Sequence, residues 1–261
     1  MSVLLSLFAA SAVWGPVRQP ILPEAKVLLM SATKGYRHDS IPAGLEAISR
    51  LCEESGIGVD RTEDASKFTS ENLKQYSVVV FLSTTGDILD PGQQIALRRF
   101  MLKGGGYVGI HAAADTEYDW SWYRELVGAW FLSHPAIQDA KIEVVDRTHL
   151  STKHLPPIWA RKDEWYDFRA LPPGDANVLL KLDNASYQGS KMGDNHPIAW
   201  CREVDGGRSF YTGGGHTKES YAEPDFLKHL LGGILWVLHR ESSGTTPHPF
   251  QSSRRELGPT G

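Results

Sequence analysis

The clearest sign of chemistry in the chain is a histidine and an aspartate that follow one short apolar run. Residues 107–110 (Tyr-Val-Gly-Ile) come after three glycines and are followed by His111, three alanines and Asp115. A buried parallel strand reads as a near-continuous apolar run between chain breakers. Because open α/β sheets bind ligands outside the carboxyl ends of such strands, we expect both side chains at the edge of a site.

Further polar and aromatic residues follow other predicted strands or lie in the loops between them. Since parallel strand ends converge on one crevice, these residues are predicted to share it. The predicted catalytic residues are His111, Asp115, Glu164 and His216. The predicted substrate-binding residues are Tyr36, His38, Thr84, His134, Tyr166 and His196. Each has an ordinary structural alternative, such as a helix cap for Asp115 or a turn for His134 and His196, which precede proline.

Histidine suits proton transfer near neutral pH, and imidazole is also a ligand for zinc and similar ions, so a bound divalent metal stays open. No G-x-S-x-G or G-x-C-x-G elbow occurs, and Gly109–Ala113 carries His111 in the nucleophile's place. This pattern argues against a serine or cysteine acyl-enzyme. Gly104–Gly106 precede a strand and Gly213–Gly215 lack the Walker lysine, so no nucleotide cofactor is expected.

The elements that must hold these residues alternate between strand and helix up to residue 110. Strands are predicted at 26–31, 58–62, 77–82, 107–110, 141–145, 178–182, 198–204 and 209–212. Helices are predicted at 41–54, 70–76, 93–103 and 226–239, and a hairpin turn at 205–207. This order predicts an α/β protein with a mostly parallel, doubly wound sheet. Residues 119–173, rich in tryptophan, histidine and proline, are predicted to be a functional insertion that is regular only at 141–145.

Composition excludes several classes of function. The 261 residues carry a net charge of −4 and contain no basic block, which argues against nucleic-acid binding. No apolar run is long enough to span a membrane. Cys52 and Cys201 lack zinc-ligand spacing, so we expect buried thiols, with a single disulfide left open.

The chain is predicted to contain one domain between two dissimilar ends. Residues 1–12 are apolar and end in a small-x-small pattern, which predicts a signal peptide, although they lack lysine and arginine. Asn184-Ala-Ser186 is a glycosylation sequon, so secretion is favoured over a cytoplasmic location. Residues 24–240 form the predicted domain, and 241–261 a Ser/Pro/Arg-rich tail expected to be disordered.

Five motifs together resemble the ThuA-like (trehalose utilisation) family. They are Gly109–Thr116, Phe131–Pro135, Asp163–Phe168, His196–Trp200 and Gly207–Thr217. The resemblance implies a flavodoxin-like fold related to class I glutamine amidotransferases, without their catalytic cysteine. It also implies a role in disaccharide or glycoside breakdown, with 3-keto sugars as substrates. The residues that match the family's signature positions are His111, His134, Glu164, His196 and His216.

The favoured hypothesis is therefore an enzyme acting on a keto-sugar. A ketone acidifies the neighbouring C–H, so a poised base can remove that proton and elimination or isomerisation follows. His111 is the expected base, oriented by Asp115, with Glu164 and His216 as acid or oxyanion partner. The alternative is a non-catalytic protein that binds a sugar or a protein. Glycoside hydrolysis by paired carboxylates is less favoured because the predicted cleft is richer in histidine than in acids.

Overall fold

The computed structural model describes residues 25–239, so the predicted signal peptide and tail lie outside the described residues. The strands are β1 (Lys26–Met30), β2 (Gly58–Thr62), β3 (Val78–Leu82), β4 (Gly106–Ile110), β5 (Phe131–Ser133), β6 (Gln138–Val144), β7 (Ile158–Asp163), β8 (Asp167–Phe168), β9 (Asn177–Asp183), β10 (Pro197–Val204) and β11 (Gly207–Thr212). The α-helices are α1 (Ile41–Glu54), α2 (Ser70–Leu73), α3 (Pro91–Leu102), α4 (Ser121–Val127) and α5 (Pro224–Val237).

Nine strands form one sheet in the order β2-β1-β3-β4-β11-β10-β9-β6-β7. The first five pair in parallel, and their order is the flavodoxin-like 2-1-3-4-5 arrangement, with its switch point between β1 and β3. The remaining strands pair antiparallel, so only β10 and β6 run against the common direction. The α/β class and the flavodoxin-like fold are confirmed.

The parallel strands form where the sequence offers unbroken apolar runs. Every residue of β3 and of β4 is buried, as expected for strands covered by helices on both faces. Adjacent residues of β11 show the two covered faces. Ser209 donates a hydrogen bond to the carbonyl of Leu126 in α4, whereas Phe210 packs against His229 in α5, with ring centroids 5.3 Å apart. The sheet is therefore doubly wound.

The β10–β11 hairpin brings the last parallel strand beside β4. Its turn has positive φ at Asp205 (51°) and Gly206 (89°), the conformation of a two-residue turn that suits the twist of a hairpin. The hairpin predicted at 205–207 is confirmed. It sets Thr212 opposite Ile110, so the residues that follow β4 and β11 meet at one edge of the sheet.

The expectation that residues 119–173 are regular only at 141–145 is wrong. This segment contains α4, β5, β6, β7 and β8. In β7, polarity does not follow burial. The apolar Ile158 is exposed, whereas the charged Arg161 and Asp163 are buried beside Trp159. A strand that buries an ion pair lacks the apolar alternation by which strands are recognised.

Both cysteines are buried, free thiols, so the disulfide left open by the sequence does not form. Burial raises the pKa of each thiol to about 12, which leaves them protonated and poorly nucleophilic. Between residues 25 and 239, no helix has the length and apolar character needed to cross a membrane.

Candidate active site

The turn after β4 holds His111 in a strained backbone conformation. His111 has φ of 52°, and it begins a 3-10 helix, His111–Asp115, directly after the strand. A positive φ is uncommon for a residue other than glycine and is typical of strand-to-helix elbows that present a reactive side chain. The elbow inferred from the motif is therefore present, with histidine at its apex.

His38 and His216 reach His111 from the loops after β1 and β11. The three imidazole rings lie nearly perpendicular to one another, with centroids 4.8–5.1 Å apart. Glycine at position 215 lets the loop after β11 pack against Tyr221. Its φ is 108°, and a Cβ there would lie 2.8 Å from the hydroxyl of Tyr221. The three histidines thus converge from the ends of three strands of the parallel half, of which β4 and β11 are neighbours.

Glu164 comes from the antiparallel half, directly after β7. Its Oε2 lies 3.1 Å from Nδ1 of His216 and 3.4 Å from Nε2 of His111, and the two nitrogens are 3.1 Å apart. Its Oε1 lies 3.0 Å from Nδ1 of His134. We call His38, His111, Glu164 and His216 the His–Glu cluster. Each offers one nitrogen or oxygen atom, and these four atoms all lie within 4.8 Å of one another, so these residues could hold a metal ion.

The orientation of His111 differs from the prediction. Its Nδ1 lies 2.9 Å from the carbonyl of Gly213, to which the Nδ1 hydrogen donates, and this leaves Nε2 facing the cluster. The carboxylate of Asp115 instead accepts a hydrogen bond of 2.6 Å from the hydroxyl of Tyr118. The expectation that Asp115 orients His111 is therefore wrong, because the pairing of β4 with β11 supplies a backbone carbonyl for that purpose.

Burial and charge act in opposite directions within the cluster. Burial, together with the charges of His111 and His216, lowers the pKa of His38 to about 3, so this imidazole is neutral. Burial alone would raise the pKa of Glu164, but hydrogen bonds from His111 and His216 outweigh it and hold that carboxyl ionised. Burial would lower the pKa of His216, yet Glu164 raises it. Glu164 is thus the fixed negative charge of the cluster.

A pocket of about 320 Å³ opens beside the His–Glu cluster. Its lining residues are Tyr36, His38, Asp115, Phe131, His134, Glu164, Tyr166 and His216. Seven of these eight were predicted as site residues, and Phe131 was not. His111 is fully buried and lies behind this lining, where its ring packs against that of Tyr166 at 4.2 Å. Burial raises the pKa of Asp115, so the carboxyl on the pocket wall holds its proton more readily than an exposed aspartate.

Two predicted substrate-binding residues do not reach the pocket. Thr84 is fully buried, and its hydroxyl bonds to that of Thr116 at 2.9 Å. His196 is also fully buried, with Nε2 on the carbonyl of Tyr166 and Nδ1 on the side chain of Asn184. Both follow or precede strands at the expected edge, but their side chains turn into the core. Neither side chain lines the pocket, and His196 instead supports the segment that carries Tyr166.

Sequence reasoning missed Asp163 as a support of the site. Its carboxylate accepts hydrogen bonds from the backbone N–H groups of Gly215 (2.8 Å) and His216 (3.1 Å), and it pairs with Arg161 at 3.1 Å. Strands about 4.8 Å apart would separate β7 from β11 by about 19 Å in a flat sheet, so the antiparallel half must curl to make this contact. The adjacent acids at 163 and 164 were a usable signal: one fixes the His216 loop and the other enters the cluster.

A larger hollow, about 610 Å³, lies at the opposite edge of the sheet, beside the glycines at 104 and 105. Apolar side chains such as Leu73, Phe100 and Val237 line it, together with Lys74, Arg99 and Lys103. It holds no converging group of histidines and acids. Size alone therefore does not identify the site.

Comparison with known proteins agrees with the sequence resemblance. The family model described as trehalose utilisation (ThuA) matches residues 26–237. A ThuA-like protein from Bacteroides uniformis has a TM-score of 0.73 and 26% identity, covering 88% of this chain and 98% of that one. A second, from Parabacteroides merdae, has a TM-score of 0.70 and 20% identity, covering 87% of this chain and 94% of that one.

The fold also occurs inside larger enzymes. A β-galactosidase from Bacillus circulans sp. alkalophilus matches 84% of this chain and 31% of its own, with a TM-score of 0.54 and 16% identity. At that identity the match shows the fold alone. The search of curated proteins returned no significant match.

Proposed function

Because the chain belongs to the ThuA (trehalose utilisation) family, which suggests carbohydrate metabolism, we propose that it is an enzyme acting on a keto-sugar derived from a disaccharide or glycoside. The proposed reaction is proton abstraction next to the carbonyl, followed by elimination or isomerisation. The observation that carries the proposal is that a single pocket is lined both by members of the His–Glu cluster and by Asp115.

The pocket suits a small polar ligand with apolar ring faces. Its volume of about 320 Å³ is at the lower end of the range for small-molecule sites. The aromatic rings of Tyr36, Phe131 and Tyr166 line it, and such rings offer an apolar face to the C–H groups of a sugar. Tyr36 is 66% exposed, so it is available at the mouth.

Proton abstraction beside a ketone requires an electrophile for the oxygen and a base for the carbon. In our proposal the His–Glu cluster stabilises the charge that develops on the carbonyl oxygen. Asp115 takes the proton, since it lines the pocket, whereas His111 is buried behind the lining. This reverses the roles expected from the sequence, in which His111 was the base and Asp115 its support.

The bond changes for a 3-keto glycoside are as follows. The proton on C2 passes to Asp115, and its electron pair forms an enolate with the carbonyl at C3. Collapse of the enolate makes a C1–C2 double bond and breaks the bond from C1 to the glycosidic oxygen. That oxygen takes a proton from His134, which lines the same pocket and contacts Glu164. Elimination therefore needs no serine or cysteine nucleophile.

The proposal is tested by incubating the purified protein with a 3-keto disaccharide and with the same disaccharide unoxidised, and following products by mass spectrometry. We expect turnover of the keto form alone, and loss of at least about 100-fold in kcat in Asp115→Asn. Turnover of the unoxidised sugar at the same rate would contradict the proposal. Sugar binding by calorimetry with no product would favour a non-catalytic binding protein instead.

The role of His134 has its own test. In His134→Ala, turnover of a 3-keto glycoside with an alkyl leaving group should fall about 100-fold. With a nitrophenyl leaving group, which departs without a proton, the loss should be much smaller. Equal losses on both substrates would show that His134 does not protonate the leaving oxygen.

A further inference from the structure

We propose that the His–Glu cluster is the binding site of one divalent transition-metal ion, with three imidazole nitrogens and one carboxylate oxygen as ligands. Zinc fits this donor set best, and cobalt or nickel would be accepted as substitutes. Metal binding stands independently of the sugar reaction. Only the use of the ion to polarise the sugar carbonyl rests on the function proposed above.

The distances within the cluster match those of a metal site. Two ligand atoms that are each about 2.05 Å from a tetrahedral zinc ion lie about 3.3 Å apart. The triangle formed by Nε2 of His111, Nδ1 of His216 and Oε2 of Glu164 has edges of 3.1, 3.1 and 3.4 Å. These three atoms therefore form one face of a tetrahedron of the right size.

His38 supplies the fourth ligand. One of its ring nitrogens lies within 4.8 Å of the other three ligand atoms, close enough for one ion to bind all four after small side-chain rotations. Among residues 25–239, the buried Nδ1 of His38 meets no hydrogen-bond partner. A buried imidazole nitrogen without a partner is costly, and a metal ion bound to Nδ1 would remove that cost.

The surroundings of the cluster also follow the pattern of metal centres. A metal-ligating histidine donates its other ring N–H to a carbonyl or carboxylate, which fixes the ring and its tautomer. His111 does this through Nδ1 to the carbonyl of Gly213. The ligating carboxylate is normally hydrogen-bonded too, and the second oxygen of Glu164 lies 3.0 Å from His134.

Charge favours a cation over a shared proton. Nε2 of His111 and Nδ1 of His216 are 3.1 Å apart, and both face the single carboxylate of Glu164. One proton can link only two of these three atoms well, whereas a dication attracts all of them at once. Since His38, Glu164 and His216 also line the pocket, a sugar oxygen can approach the ion as a further ligand.

The test starts from protein dialysed against a chelator, which is then titrated with Zn²⁺ by calorimetry and with Co²⁺ by visible absorption. We expect one ion per chain and the intense absorption typical of four-coordinate cobalt. His111→Ala and Glu164→Gln should weaken zinc affinity at least about 100-fold. His154→Ala, which removes an imidazole that contacts the carbonyl of Asp225 outside the cluster, should bind zinc as wild type does. Circular dichroism checks that each variant is folded.

The outcomes separate the metal proposal from the proposed function. Stoichiometric zinc binding that needs Glu164 and His111, without turnover of any keto-sugar, would support the metal site and overturn the function. Turnover that persists in protein freed of metal, with no zinc binding on titration, would overturn the metal site and leave the function standing. Zinc binding that is unchanged in both ligand variants would also overturn the site.

Discussion

Two fully buried histidines, His111 and His229, occupy very different surroundings. His111 faces Glu164 and two further imidazoles beside a pocket. His229, in α5, donates through Nδ1 to the carbonyl of Ser151 at 2.9 Å and packs among the rings of Phe210 and Phe226. Burial alone therefore says little about function. What distinguishes the His–Glu cluster is an ionised carboxylate that converges with several imidazoles at a cavity.

Electrostatics separate the two regions in the same way. Burial lowers the pKa of His229 to about 3, against the opposing effect of its hydrogen bond to Ser151, and the charge of Arg161 lowers it further. His229 is thus a neutral packing residue at all ordinary pH values. His216 has the opposite shift, since Glu164 raises its pKa despite burial. The carboxylate of Glu164 favours the protonated form of His216. Burial instead keeps His229 neutral, and His229 serves as a packing residue.

The largest expected effect is on activity, in Glu164→Gln. Glutamine keeps the shape of the side chain but removes the negative charge that holds His111, His134 and His216 together. We expect kcat/KM on a keto-sugar to fall on the order of 10³-fold, with the thermal midpoint little changed. Steady-state kinetics and a thermal melt measure the two quantities. A variant with wild-type kinetics would remove the distinction between the two histidine regions.

Asp163→Asn should affect both activity and stability. It breaks the buried pair with Arg161 and weakens the hydrogen bonds to the backbone of Gly215 and His216. The free energy of unfolding should fall by about 2 kcal/mol, because the buried guanidinium of Arg161 keeps only the partly exposed Glu223 as its ion-pair partner. Denaturant unfolding checks the loss. Unchanged stability would mean that the curl of the antiparallel half does not depend on this contact.

His229→Ala should affect stability alone. Removing a buried ring from the layer between α5 and β11 leaves a cavity, and we expect a loss of about 2 kcal/mol in unfolding free energy. Activity per folded molecule should equal that of wild type below the melting transition. Reduced activity in the fully folded variant would show that His229 supports the site after all.

His229 also makes the stability of the fold depend on pH. The pKa of His229 lies near 3 in the folded chain, against an ordinary value of 6.5. The unfolded chain therefore binds a proton first as pH falls. The stability that neutral His229 contributes is complete above about pH 6.5 and declines toward pH 3, by at most about 1.4 kcal/mol per pH unit. In denaturant melts between pH 7 and 5, wild type should lose stability relative to His229→Phe as pH falls; a constant difference would contradict this.

The parallel half of the fold could be predicted from the sequence because its strands are continuous apolar runs. The same runs indicated that His111 and His216 share an edge of the sheet. The orientation of His111 could not be predicted, since its partner Gly213 depends on the register between β4 and β11. Likewise β7 was missed because its buried face carries Arg161 and Asp163 rather than apolar residues.

Side-chain direction at strand ends was the other limit. Thr84 and His196 lie in the expected loops, but their side chains bond within the core. The position of a residue along a strand follows from the local sequence pattern. The direction in which its side chain points depends on partners that are distant in sequence, such as Thr116 and Tyr166. This is why seven of the eight lining residues were predicted, while Thr84 and His196 were predicted beside them but do not line the pocket.

The central claim is that the pocket beside the His–Glu cluster removes a proton next to a sugar carbonyl. The most direct measurement uses a 3-keto disaccharide deuterated at C2, the carbon between the carbonyl and the glycosidic carbon, and follows the label in H₂O by mass spectrometry and NMR against a protein-free control. We predict that the deuterium passes to the solvent faster than in the control, and that Asp115→Asn and Glu164→Gln abolish this excess. Product that retains deuterium at C2, or loss of label no faster than in the control, would contradict the claim.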